Sequence, residues 1–228
     1  ERALALDSTV SEFHQAHGRI LCDIHRYPEA EISLRKALAL DSAHLPSLFA
    51  LGYLLKELYR FEEALETYDR AVAAYPDVAA AFGHRASARF HLMTTQQDSL
   101  ALIDLRHALT IEPDDVGSLT ALGNHYLDVP LFDSAAYYFD RAIILDPNDA
   151  TAMHNRGYAR MQQGRLDEAI GDMRESLEMD STMTFAYNNI GWALHLAGRS
   201  EEGLANIDIS ISRMPTNSFA FYNRGRVL

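Results

Sequence analysis

Ten histidines, a single cysteine and a set of evenly spaced asparagines are the residues of this chain best able to do chemistry. His14 and His17 stand three residues apart on one helical face, with Asp23 and His25 close behind, a grouping that could ligate a metal. No HExxH or CxxC spacing accompanies them and no other ligand pair recurs at a fixed position, so the expectation is a packed or partly exposed pair without metal or cofactor. Cys22 lacks an activating context, and the Ser, Asp and His residues form no nucleophile-elbow motif. GxGxxG and Walker motifs are absent. The acidic strings EEAL, DEAI and EEGL read as helix starts, where carboxylates interact well with the helix dipole, rather than as acid–base pairs. The chain is therefore expected not to be an enzyme. The asparagines differ in kind. Asn155, Asn189 and Asn223 recur at intervals of about 34 residues, and each amide offers both a donor and an acceptor, as a peptide group does.

That interval runs through the whole chain. LGYLLKELYRFEEALETYDRAVAAYPD returns as LGNHYLDVPLFDSAAYYFDRAIILDPND, as RGYARMQQGRLDEAIGDMRESLEMDST and as IGWALHLAGRSEEGLANIDISISRMPTN. With the repeats numbered so that a shared glycine is position 8, that position holds Gly18, Gly52, Ala86, Gly123, Gly157, Gly191 and Gly225. Position 20 holds Ala30, Ala64, Ala101, Ala135, Ala169 and Gly203, and position 27 holds Ala or Ser throughout. Position 32 holds Pro76, Pro113, Pro147 and Pro215, with Ser8, Ser42 and Ser181 in other repeats. Small residues at 8, 20 and 27 allow two helices to approach closely. Leu48, Leu51, Leu55, Tyr68 and Leu119, Leu122, Tyr126, Phe139 recur between them at helical spacing. Pro28 and Pro46 fall in first turns, where the missing N–H costs nothing, and Pro130 falls in a turn.

These residues closely resemble the tetratricopeptide repeat, which has two antiparallel helices in each repeat. The resemblance covers the whole chain and implies an all-α fold, a right-handed α-solenoid of antiparallel helix pairs. The repeats are read as 11–44, 45–78, 79–115, 116–149, 150–183 and 184–217, within a single array spanning 1–228. Residues 1–10 read as the end of a preceding repeat and 218–228 as the first helix of a following one. Repeat 79–115 is longer than the others by three residues, and the excess falls in LMTTQQDS (92–99). It reads as a longer turn with an N-cap at Asp98 or Ser99, either a tolerated surface insertion or an edge contact.

Composition bounds the partner more than the fold. A net charge of -12 argues against a nucleic-acid backbone as ligand, because phosphate contacts need clustered Lys and Arg. One cysteine excludes an internal disulfide framework and leaves the compartment open. No signal peptide or membrane span is visible, so membrane insertion is not expected. The chain begins and ends inside repeats, as a fragment of a longer array or a processed product would.

In arrays of this family the first helix of each repeat lines a concave groove, chiefly through positions 2, 5, 9, 12 and 13, with 6 nearby. Carried onto this chain, the first repeat offers Glu12, Gln15, Arg19, Cys22 and Asp23, and the second Phe49, Tyr53, Lys56 and Glu57. The third is nearly bare. The later repeats place Asn124, His154, Tyr158, Phe185, Asn188, Trp192, His195, Phe219, Tyr222 and Arg226 there, and position 6 adds Asn155, Asn189 and Asn223. This resembles the asparagine ladder of the O-linked N-acetylglucosamine transferase repeats, which holds the backbone of an extended peptide. The same amides could instead bridge neighbouring helices. A carboxylate clamp of the cochaperone type is not expected, since Arg19, Lys56 and Arg226 are offset by Glu12, Asp23, Glu57 and Asp128. The implied function is a protein–protein interaction scaffold that binds a peptide or partner segment. The alternatives are a self-assembling scaffold that associates through its ends and the targeting module of a larger enzyme.

Overall fold

The computed structural model describes residues 2–228, with side chains from Val10 onward. Among them lie thirteen helices and no strand: α1 (Arg2–Asp23), α2 (Tyr27–Leu40), α3 (Leu45–Glu57), α4 (Phe61–Ala74), α5 (Ala79–His91), α6 (Thr95–Ile111), α7 (Val116–Asp128), α8 (Phe132–Leu145), α9 (Ala150–Gln162), α10 (Leu166–Met179), α11 (Thr184–Leu196), α12 (Ser200–Arg213) and α13 (Ser218–Val227). The fold is an all-α solenoid of helix pairs. Pro28 and Pro46 sit in the first turns of α2 and α3, and the other five prolines lie in turns between helices, so none interrupts a helical hydrogen-bond ladder.

Most turns within a pair share one construction. A residue with positive φ (His25, Tyr59, Gly164 or Gly198) ends the first helix. The next amide then reaches back five residues, as Arg26 N–H does to Leu21 O and Arg165 N–H does to Arg160 O, which satisfies carbonyls that the helix leaves open. Those arginines also begin the next helix and pair three residues on, as in Arg60–Glu63, Arg165–Glu168 and Arg199–Glu202. These exposed pairs are screened by water and add little to stability. They account for the acidic strings at the helix starts.

Residue contacts group the chain into two compact units, one ending at Ser118 and the other Leu119–Leu228, with the boundary inside α7. The first unit is centred on Leu34, Leu48, Leu51, Leu54, Leu55 and Tyr68, all almost wholly buried. The second buries Phe139 and Met153 in one cluster and Met173, Ile190 and Leu194 in another. Among the described side chains, the alanines at positions 20 and 27 are fully buried in both units. Within the second unit α11 and α12 pack backbone to backbone: a Cβ on Gly191 would lie 2.6 Å from the Gly203 carbonyl oxygen.

The structure departs from the sequence reading at two places. The long repeat does not carry a longer turn. Thr94 caps α6 by accepting from Gln97 N–H at 3.2 Å, and α6 has 17 residues where α4 and α8 have 14. The extra three residues thus add most of a helical turn, with Asp98 in the first turn instead of at the cap. At the start of the chain, α1 runs unbroken from Arg2 to Asp23, through the boundary expected near residue 10; Ser8 stands where other repeats have the proline that stops a helix. An apolar end face carrying Leu4 and Leu6, through which the self-assembling alternative would associate, lies outside the described side chains.

Candidate functional site

The asparagine series lies in the second unit, and its amides are engaged with one another. Asn155 Nδ2 on α9 donates to Asn124 Oδ1 on α7 at 2.8 Å. Asn189 Nδ2 on α11 lies 3.1 Å from His154 Nε2 on α9. Asn188 Nδ2 donates to Asn189 Oδ1 at 3.2 Å, and Asn223 Nδ2 on α13 donates to Asn188 Oδ1 at 3.0 Å. The ladder therefore joins the first helices of successive repeats. Each amide can make about four hydrogen bonds, so this bridging still leaves capacity for a bound segment.

His154 does not present its ring to the surface. It is 3% exposed, because Phe185 from α11 covers it edge-on with ring centroids 4.8 Å apart. Burial lowers the imidazole pKa to about 4, so the ring is neutral near pH 7. Its Nδ1 has no hydrogen-bond partner among the described residues. Asn188 is also buried, but it touches the cavity described next.

That cavity, of about 300 Å³, opens between α9, α11 and α13. Tyr158 lines it from α9, Phe185, Asn189 and Trp192 from α11, and Phe219 and Asn223 from α13. Phe219 is 74% exposed and Phe185 45%. Trp192 and Tyr158 are half-buried and rest on the Met173–Ile190–Leu194 cluster. The Arg226 guanidinium stacks over Trp192 at 4.3 Å and lies 5.7 Å from the Tyr222 ring, an attraction between cation and ring face. His195 stands 5.2 Å from Trp192 and is held by the Ser200 hydroxyl at 2.9 Å. The structure thus gathers Tyr158, Asn188, Asn189, Trp192 and Asn223 at one opening, with His195, Tyr222 and Arg226 around Trp192. Asn124 and Asn155 form a separate pair.

Three residues lining the cavity were not singled out from sequence: Met161, Gln162 and Asn217. Met161 and Gln162 occupy positions 12 and 13, so their register marked them while their side-chain types did not. Asn217 carries the cap of α13, accepting from Ala220 N–H at 3.3 Å.

The first unit offers less. Lys56 donates to the Ser87 hydroxyl at 2.6 Å, and the Cys22 thiol is pushed up by burial and then by Asp23, away from a reactive thiolate. His17 bonds Ser33 at 2.8 Å and stacks on Phe13. No group of three or more metal-ligating side chains occurs among the described residues, and none of the described helices is long and apolar enough to cross a membrane.

Comparison with known proteins agrees with this architecture. No curated protein matches the chain by sequence. Among solved structures, the chain is similar to one from the APC/C hetero-tetramer Cut9–Hcn1, with 16% identity and a TM-score of 0.86, covering 99% of this chain and 46% of that one. This chain therefore spans about half the length of that relative. It is also similar to PilF of Pseudomonas aeruginosa, with 14% identity, a TM-score of 0.82 and coverage of 96% and 99%. A third is YrrB, described as a TPR protein with an unusual peptide-binding site, with 22% identity, a TM-score of 0.66 and coverage of 84% and 97%. At these identities the likeness is one of fold. The family model for the tetratricopeptide repeat matches residues 15–79, 49–96 and 120–183. With repeat helices, buried small residues and a family match over most of its length, this chain belongs to the tetratricopeptide repeat family.

Proposed function

We propose that the chain is a protein-interaction scaffold whose second unit holds an extended peptide or partner segment at the α9–α11–α13 opening. The observation that carries this reading is the pairing of exposed aromatic rings, Phe185 and Phe219, with the Asn188–Asn189–Asn223 amides around one cavity. Neutral hydrogen bonds contribute about 0.5–1.5 kcal/mol each, too little alone to offset association costs. Aromatic anchors supply the remainder, and interface energy concentrates in such residues. YrrB supports the reading by analogy, since its description records a peptide-binding site on a related fold.

The test uses peptides selected from a random display library on the intact chain, with affinity read by calorimetry. Phe219→Ser removes an exposed ring without opening the core and is expected to weaken selected peptides by about tenfold or more. Trp192→Ala is expected to do at least as much, with helicity checked alongside because Trp192 also packs on the core. Unchanged affinity in both variants would overturn the proposal.

A further inference from the structure

The first unit has a cavity of its own, of about 200 Å³, between α1, α2 and α3. Cys22 and Asp23 wall it from the end of α1, Tyr27 from the start of α2, and Tyr53 and Glu57 from α3. Leu54, fully buried, adds an apolar wall. His25 turns the chain between α1 and α2 with a positive φ, and its Nδ1 lies 2.8 Å from the Tyr27 hydroxyl. That contact holds the Tyr27 ring in place beside the cavity.

The lining gathers acidic groups and includes no lysine or arginine. The Glu57 carboxylate, followed by burial and then by Tyr27 and Cys22, pushes the Tyr53 hydroxyl above its ordinary pKa. Asp23 does the same to Cys22, after burial. Acidic groups from all three helices therefore face one another. Neither Asp23 nor Glu57 forms an ion pair among the described residues, and Arg19, one turn before Asp23 on α1, does not reach it. Lys56, beside Glu57, turns the other way and donates to the Ser87 hydroxyl on α5 at 2.6 Å. That bond is informative, because Lys56 holds position 12 and Ser87 holds position 9 of the following repeat. Cys22 and Tyr53 hold the same two positions one repeat earlier. Between the second and third repeats the chain supplies its own ammonium. Between the first and second it supplies carboxylates and leaves the cation out.

We infer that this cavity receives a lysine side chain of a partner protein, its ammonium held by Asp23 and Glu57 and its stem lying against the Tyr27 and Tyr53 rings. An ammonium carries three donors and no acceptor, so two carboxylates and a tyrosine hydroxyl can satisfy it. Bonds of this kind are about twice as strong as those between neutral groups, and the ring faces attract a cation further. The net charge of -12 draws basic segments toward the chain, a long-range pull that raises the rate of encounter. The cavity of the second unit has amides and rings but no carboxylate. The two sites thus select different chemistry, and the inference does not rest on the peptide reading of the second unit.

The probe is the end-capped peptide Gly-Gly-Lys-Gly-Gly, titrated into the isotope-labelled 228-residue chain and read by amide chemical shifts. Saturating shifts are expected at residues 22–27 and 53–57. The same peptide with its lysine acetylated keeps the stem but loses the charge, and it should produce none of them. Glu57→Gln and Asp23→Asn change exposed side chains, so the fold is retained, and each should weaken binding by about tenfold. Glu12→Gln removes an equal charge from α1 away from the cavity and should leave affinity as it was, which separates a built site from general attraction to an acidic surface. Phe219→Ser, in the cavity of the second unit, should also have no effect. Equal binding of the acetylated peptide, an equal loss in Glu12→Gln and Glu57→Gln, or shifts spread over the other helices would each overturn the inference.

Discussion

At the scale of single residues, the second unit holds a buried charge cluster. Asp172 is 6% exposed and accepts from Arg156 and Arg160 together. Removing one member of such a cluster strands the others without water or partner. Asp172→Ala is therefore expected to cost about 3–5 kcal/mol, whereas Glu168→Ala, which breaks an exposed pair with Arg165, should leave stability nearly unchanged; urea unfolding of both variants checks the contrast. His154 gives a pH dependence whose direction follows from its burial. Its pKa is about 4 in the folded chain, against 6.5 for the unperturbed group. Above pH 6.5 it is neutral in both states. As pH falls from 6.5 towards 4, the unfolded chain takes up a proton that the folded chain refuses. Stability should drop by about 3 kcal/mol over that window and level off below it. His84, lowered first by burial and then by Lys56, acts in the same direction. Unfolding midpoints between pH 7 and pH 4 should fall less steeply in His154→Gln, and identical slopes would show that the ring is not desolvated. Neither feature was legible residue by residue. His154 holds a position that usually faces the groove, and only Phe185, from the next repeat, buries it. The asparagine series was visible as donors and acceptors, but not that its amides join neighbouring helices.

At the scale of elements, the helix starts were the most legible feature, because proline and small residues act locally. The long α6 was not. Thr-Thr-Gln-Gln-Asp is polar enough for a loop yet contains nothing that stops a helix, so the choice passed to the cap, and Thr94 rather than Asp98 supplied it. The glycines at position 8 look alike in sequence and differ in surroundings. A methyl group on Gly191 would strike the Gly203 carbonyl and Ile207, both at 2.6 Å, and backbone cannot swing aside as a side-chain tip can. Gly191→Ala is expected to destabilise by about 2 kcal/mol, overpacking outweighing a helix-propensity gain of about 1 kcal/mol. Gly225→Ala meets no atom within 4 Å, so only the gain remains, about 0.5–1 kcal/mol in the free chain. Thermal midpoints moving in opposite directions would bear this out; a loss in both would contradict it.

At the scale of the whole molecule, the repeat interval made the architecture legible, while the buried Arg85–Asp104 and Arg156–Asp172 pairs stayed hidden among charges that read as ordinary surface. Among the helix pairs the structure describes, each helix touches only helices one or two places along the chain. Stability in such arrays is approximately a sum of local and nearest-neighbour contributions, and opening proceeds in contiguous units rather than everywhere at once. A core lesion should therefore stay close to where it is made. Leu55→Ala lies in the Leu48–Tyr68 cluster of the first unit, where truncating a buried leucine costs about 2–5 kcal/mol. Hydrogen exchange is expected to accelerate in α3, α4 and α5 of this variant, while protection in α9–α12 stays near that of the unaltered chain. Peptide affinity at the α9–α11–α13 opening should change less than about twofold, because none of its residues contacts the lesion. A uniform loss of protection along all the helices would instead mean that the chain unfolds as one cooperative body, and the independence of the two units would have to be abandoned.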